Sequence, residues 1–164
     1  MLREYAKRRD RHIEVCYHDR DRESAEDTVR ALEKGAADLA TYFEVEGPLP
    51  LLRAILAPDR AAFDALVAGI LRVEIEKPSD PRRIAQSQRT DIVLLSPSAY
   101  VAHSTYRHVP GDYRRMIRHE LVHVFQEHLS PGIEESPLWW DEGLAVYLSG
   151  QWRHPSQFRF REPV

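Results

Sequence analysis

The stretch GDYRRMIRHELVHVFQEHLSPG, residues 111–132, decides how the rest of the chain is read. Its pattern is that of a helix starting near Asp112 and stopping at Pro131-Gly132. Met116, Ile117, Leu121, Val124 and Phe125 would bury this helix and wall it with low-dielectric neighbours. Within it lies HELVH, residues 119–123. Residues four apart on an α-helix stand about 40° apart around the axis and about 6 Å apart along it. His119 and His123 can therefore reach one metal ion from a single face, and imidazole nitrogen is a good ligand for zinc. Glu120 follows the first histidine and can lean over the same point. A carboxylate there can take a proton from metal-activated water and pass it to a leaving group.

A catalytic zinc site usually takes three protein ligands and leaves a fourth position to water. PLWWDEGLAVYLSG, residues 137–150, reads as a second helix closed by Gly150, and its WWDEGLA portion offers a candidate ligand. Eighteen residues separate His123 from Glu142. HELVHVFQ, a short loop and then PLWWDEGLAVYL together resemble the gluzincin branch of the zincin metallopeptidases. The pattern is most similar to the compact peptidase MA-like group, which includes the single-domain minigluzincins. The close match covers residues 112–150, and the first half of the chain fits more loosely.

The resemblance implies one Zn2+ ion held by His119, His123 and Glu142, with Glu120 as general base and acid in peptide hydrolysis. It implies a compact α+β, zincin-like fold with a twisted mixed sheet. It also implies that a peptide or unfolded protein lies along a sheet edge, for which DIVLLSP (91–97), continuing into SAYVA, is the candidate strand. The oxyanion donor is not assigned. Larger gluzincins place a tyrosine or histidine downstream of the glutamate ligand. Here His154 is the only downstream histidine and no tyrosine follows Tyr147, which reads as a packing residue. Tyr100, His103, Tyr106 and His108 read as ordinary residues of the loop before the first helix. Where some gluzincins carry a supporting aspartate, this chain has Val146, leaving Asp141 or a backbone carbonyl to orient the histidines. Arg114, Arg115 and Arg118 read as a solvated face, His128 as a residue near the helix end, and Trp139 and Trp140 as packing between the two helices. The alternative reading is a weak or inactive zinc-binding interaction module on the same scaffold.

The first half supplies the sheet. HIEVCYH alternates, with Ile13, Val15 and Tyr17 on one side. Ser24 and Asp27 have capping-box spacing, and Ala25, Val29, Leu32, Ala36, Leu39 and Phe43 form an apolar stripe up to Gly47-Pro48. LPLLRAILA reads as a strand, and DRAAFDALVAGI as a short helix capped by Asp59. LRVEIEK alternates until prolines interrupt it, RIAQSQRT reads as strand or extended loop, and DIVLLSP as a strand. Residues 1–11 read as a frayed leader and residues 151–164 as an aromatic and basic tail.

A chain of 164 residues is the size of one domain with its own core. A formal charge of −3 gives no reason to expect nucleic acid or an anionic membrane as partner. The charged start is followed by no apolar signal core and the single cysteine forms no internal disulfide, so the expected location is cytoplasmic.

Overall fold

The computed structural model describes residues 2–130 and 136–153. It is an α+β fold: one mixed sheet of five strands, with five α-helices among the described residues. The strands are β1 (Ala6–Asp10), β2 (Ile13–Tyr17), β3 (Leu52–Ala57), β4 (Ala85–Gln88) and β5 (Asp91–Leu95). Their order across the sheet is β1-β2-β3-β5-β4. The three central strands β2, β3 and β5 run parallel, and the two outer strands pair antiparallel to their neighbours. β3 and β5 are almost wholly buried. Strands with both faces covered read as unbroken apolar runs, as AILA and IVLL do here.

The helices are α1 (Arg22–Tyr42), α2 (Arg60–Leu66), α3 (Tyr100–His103), α4 (Pro110–Leu129) and α5 (Leu138–Ser149). α1 is the parallel crossover between β2 and β3 and buries the stripe from Ala25 to Leu39. α2 starts on Asp59, whose carboxylate accepts the Ala62 N–H at 2.8 Å, as its sequence implies. α4 packs on α1, β4 and α5. Where α1 and α4 cross, a Cβ on Gly35 would stand 2.7 Å from the buried Leu121 Cδ1. A glycine there lets the two helices approach beside Glu120.

Four expectations are corrected. DIVLLSP is not the sheet edge: β5 is hydrogen-bonded on both sides, and SAYVA turns into a 3-10 turn and α3. The edge beside α4 is β4, within the RIAQSQRT segment read as strand or extended loop, and its AQSQ is polar and short, as suits a strand with one side unpaired. Residues 6–10 of the expected leader form β1, an edge strand whose exposed charges cost nothing with solvent on one side. Ser24 and Asp27 form no capping box, because the helix already begins at Arg22 and the Ser24 carbonyl accepts from Thr28. LRVEIEK is not a strand. After a left-handed Arg72 the chain runs irregularly to β4.

That irregular run is tied down by polar contacts. Arg60 donates to the carbonyls of Arg83 (2.5 Å) and His103 (2.6 Å), and Asp64 binds both the amide and the hydroxyl of Ser79. One buried arginine thus anchors both the lead into β4 and the lead out of α3. The far end of β4 is fixed to α4 as well: Glu127 Oε2 accepts the Arg89 N–H at 2.6 Å. No helix among the described residues is long and apolar enough to cross a membrane.

Candidate metal centre

α4 begins with Pro110 at its first turn, where a missing N–H costs nothing. Tyr113, Met116, Ile117, Leu121, Val124 and Phe125 hold it in the core. That burial fixes the rotation of the helix and turns His119 and His123 together toward α5. α5 follows Pro137 and ends at Gly150, whose φ of +76° is the left-handed conformation that a helix stop favours. It brings Glu142 over the two histidines.

The three side chains converge. His119 Nε2 and His123 Nε2 stand 3.1 Å apart. Glu142 Oε2 is 3.4 Å from His119 Nε2, and Glu142 Oε1 is 3.5 Å from His123 Nε2. Donors about 2.0–2.1 Å from a tetrahedral zinc ion would stand about 3.3 Å from one another. The donor set and its spacing fit such an ion, and both histidines are half-buried.

The outer nitrogens each face a glutamine side chain. His123 Nδ1 faces Gln126 Oε1 at 3.0 Å, and His119 Nδ1 faces Gln151 Oε1 at 2.9 Å. The Gln126 amide is oriented by its other end, where Nε2 meets the Asp141 carbonyl and carboxylate at 3.4 and 3.5 Å. Ser136 in turn donates to Asp141 at 2.9 Å. An amide oxygen only accepts, so glutamine oxygens in this orientation place each ring hydrogen on Nδ1 and leave a lone pair at Nε2. Two lone pairs 3.1 Å apart beside a carboxylate repel one another unless a cation or proton sits among them. Burial alone would lower the His119 pKa, but the Glu142 hydrogen bond and the Glu120 charge outweigh it and the pKa is raised. The His119 contact likewise lowers the Glu142 pKa against the effect of burial.

Glu120 is 8% exposed. Among the described residues no hydrogen bond or ion pair ties up its carboxylate, which leaves it available to handle a proton. One turn earlier, Met116 lines a cavity of about 80 Å³ with Ile84, Tyr100 and Tyr106.

His119, Glu120, His123 and Glu142 are thus brought together. The supporting residues differ from expectation: Gln126 and Gln151 face the histidines, and Asp141 acts only through Gln126. Gln126 was findable, being one turn past His123 on the same helix. Gln151 lies beyond the helix stop, where no periodicity marks it. Trp139 and Trp140 do not pack between the helices. They are 73% and 54% exposed and lie edge to face on each other. Tyr147 also faces out, stacked on Trp152. Arg114 is exposed as expected, and His128 lies near the helix end as expected. Arg118 is not a solvated residue: it donates to Asp38 at 2.6 Å and to the Leu148 carbonyl at 2.8 Å, joining α4, α1 and α5. Arg115 is likewise half-buried and paired with Asp112. The Tyr100 hydroxyl reaches Met116 Sδ and the Tyr113 hydroxyl pairs with Thr28, so both are engaged away from Glu142. His154 and the rest of the tail after Arg153 lie outside the described residues, as does the Pro131-Gly132 stop.

Comparison of the chain with family models, with curated proteins and with solved structures found no match.

Proposed function

We propose that this chain is a zinc-dependent peptidase of gluzincin type on a zincin-like scaffold. The observation that carries the reading is the convergence of two Nε2 lone pairs and a carboxylate at zinc-like spacing, with the buried Glu120 beside the first ligand. His119, His123 and Glu142 would hold the ion. Bound zinc would act as a Lewis acid, polarising a carbonyl and making water acidic enough to attack near neutral pH.

The chain's own residues do the rest. Gln126 and Gln151 hold the imidazoles in the tautomer that keeps Nε2 bare. The Glu120 carboxylate takes one proton from the attacking water as its oxygen bonds to the scissile carbonyl carbon. It then gives that proton to the amide nitrogen as the C–N bond breaks, so the carboxylate ends as it began. β4 offers its unpaired edge to an extended peptide, and its attachment to α4 through Glu127 and Arg89 fixes the strand relative to Glu120.

The rival is a zinc-binding interaction module without turnover. It is favoured by the Tyr100 and Tyr113 hydroxyls, which are both engaged elsewhere and so supply no oxyanion donor. Metal analysis together with a quenched-peptide library, run on wild type and Glu120→Gln, separates the two. The peptidase reading expects about one zinc per chain in both proteins and turnover in wild type about 100-fold or more above the variant. Stoichiometric zinc with no turnover by either protein would establish the module. No zinc in either would remove both readings.

A further inference from the structure

A second feature of α4 points to a ligand of a different kind. On the face turned from the metal centre, α1 and α4 enclose a groove of about 360 Å³ that reaches Ser149 at the end of α5. Its charged walls are all cationic: Arg30 and Lys34 from α1, and Arg114, Arg115 and Arg118 from α4. Ala31 and Gly35 form its small-residue floor, so the space between the cationic ends is open. In a protein of net charge −3, five positive side chains around one groove are a local reversal of sign.

The neighbouring acids do not neutralise it. Asp27 pairs with Arg30, Asp38 is shared by Lys34 and Arg118, and Asp112 pairs with Arg115. Three carboxylates thus pair with four of the five cations, while Glu23 and Glu26 act on Arg30 from further off and Glu26 is itself paired with Arg8. Arg114 has no partner among the described residues, and the Arg115 Nε–H is buried with no acceptor. Asp112 Oδ2, on the carboxylate already paired with Arg115, is itself buried without a partner, so the free guanidinium that the groove offers an oxyanion is that of Arg114. Clustered like charges also repel, which an anion between them would relieve.

We propose that this groove binds a phosphate-type oxyanion carrying two negative charges, either free or as a phosphorylated side chain. The Arg114 fork grips its oxygens, Arg115 and Arg118 add charge from α4 while they hold Asp112 and Asp38, and Lys34 and Arg30 close over it from α1. The groove has the volume of a small-molecule site, and no aromatic side chain lines it, so the ligand is a compact anion with no flat ring to stack. Arg118 directly precedes His119 and binds the Leu148 carbonyl, so the anion shares one arginine with the frame of the metal centre. The proposal does not rest on the metal reading.

The test is calorimetric titration of the purified protein with inorganic phosphate and, separately, with a short phosphoserine peptide, at low ionic strength. Chloride and the unphosphorylated peptide serve as controls. His123→Ala is titrated in parallel to exclude binding at the metal centre. Lys34→Gln and Arg114→Gln change exposed side chains and leave the fold intact, which melting curves confirm. The expected result is saturable binding of one equivalent, retained in His123→Ala and weakened about tenfold or more in each charge variant. Tighter binding of the peptide than of phosphate assigns the natural ligand to a phosphorylated chain, and the reverse assigns it to the free anion. No saturation by either probe, or equal affinity in Lys34→Gln and Arg114→Gln, overturns the proposal.

Discussion

α4 and α5 both carry ligands to the candidate metal centre, yet they are held in opposite ways. Ten of the twenty residues of α4 are buried, against two of the twelve of α5, Ala145 and Ser149. α4 is positioned by the core. α5 presents Leu138, Trp139, Trp140 and Tyr147 outward and depends on a few polar ties: Gln126 to Asp141, Arg118 to Leu148, and Gln151 back to His119. Two ligands therefore sit on rigid scaffold, and the third sits on an element with little apolar burial of its own. A metal bridging the two helices would supply the missing attachment, because binding to the assembled state alone stabilises that state.

The largest expected effect comes from the ligands. His123→Ala should lose zinc by more than about 100-fold in affinity and abolish turnover, while the fold survives because α4 is core-anchored. Glu142→Ala should also lose activity. If the comparison holds, it weakens zinc less than His123→Ala, since the two imidazoles stay preset by their glutamines. Competition titration with a zinc indicator ranks the three proteins, and an inverted order would break the comparison.

Next in size is the response to chelation. Removing the ion should raise amide hydrogen exchange across Leu138–Ser149 by about tenfold or more, with little change in Tyr113–Phe125. Equal protection of both helices after chelation would mean that α5 stands without the metal. Gln126→Ala and Gln151→Ala should then each lower zinc affinity by about 10- to 100-fold through loss of the fixed tautomer. Gln126→Ala also frees Asp141 and should carry the larger exchange effect in α5. Acidification acts on the same atoms. The His119 pKa is raised, so its proton persists to higher pH than in a free histidine. Zinc affinity should fall as pH drops through that raised value.

The same contrast explains what the sequence made legible. HELVH could be read because helix geometry fixes the relation of residues four apart, whatever the fold around them. Glu142 lay within reach because it shares a patterned segment with Trp139, Trp140, Gly143 and Ala145. The central strands declared themselves as apolar runs. Features decided by tertiary partners did not. β4 is polar because it is an edge, and its sequence leaves strand and extended loop equally open until β5 lies beside it. Gln151 acquires its role from a contact across 32 positions of sequence. Arg118 looks solvent-facing in a helical projection, and Asp38 and Leu148, which engage it, belong to other helices. Trp139 and Trp140 show the converse: large apolar side chains imply packing, yet nothing in the local pattern states which face of α5 is covered.

The smallest effect concerns Arg118, which ties α4 to α1 and α5 without involving the metal. Asp38 accepts from Arg118, and that hydrogen bond, against an opposing effect of burial and with help from Lys34, holds the Asp38 pKa below the usual carboxylate range. A lowered carboxylate pKa contributes stability above the unfolded value and loses it as pH falls through the folded one. Both side chains are partly solvated, so Asp38→Asn should cost only about 0.2–1 kcal/mol at neutral pH. The cost should shrink as pH falls through the lowered folded value, where the wild-type carboxylate is also protonated. Arg118 keeps its bond to the Leu148 carbonyl in the variant, so the end of α5 should loosen slightly and the sheet not at all. Denaturant titrations at pH 7 and at low pH measure the first part, and exchange at Ala145–Ser149 measures the second. A loss well above 1 kcal/mol at neutral pH would show that α5 leans on α1 through Arg118 far more than its sparse burial implies.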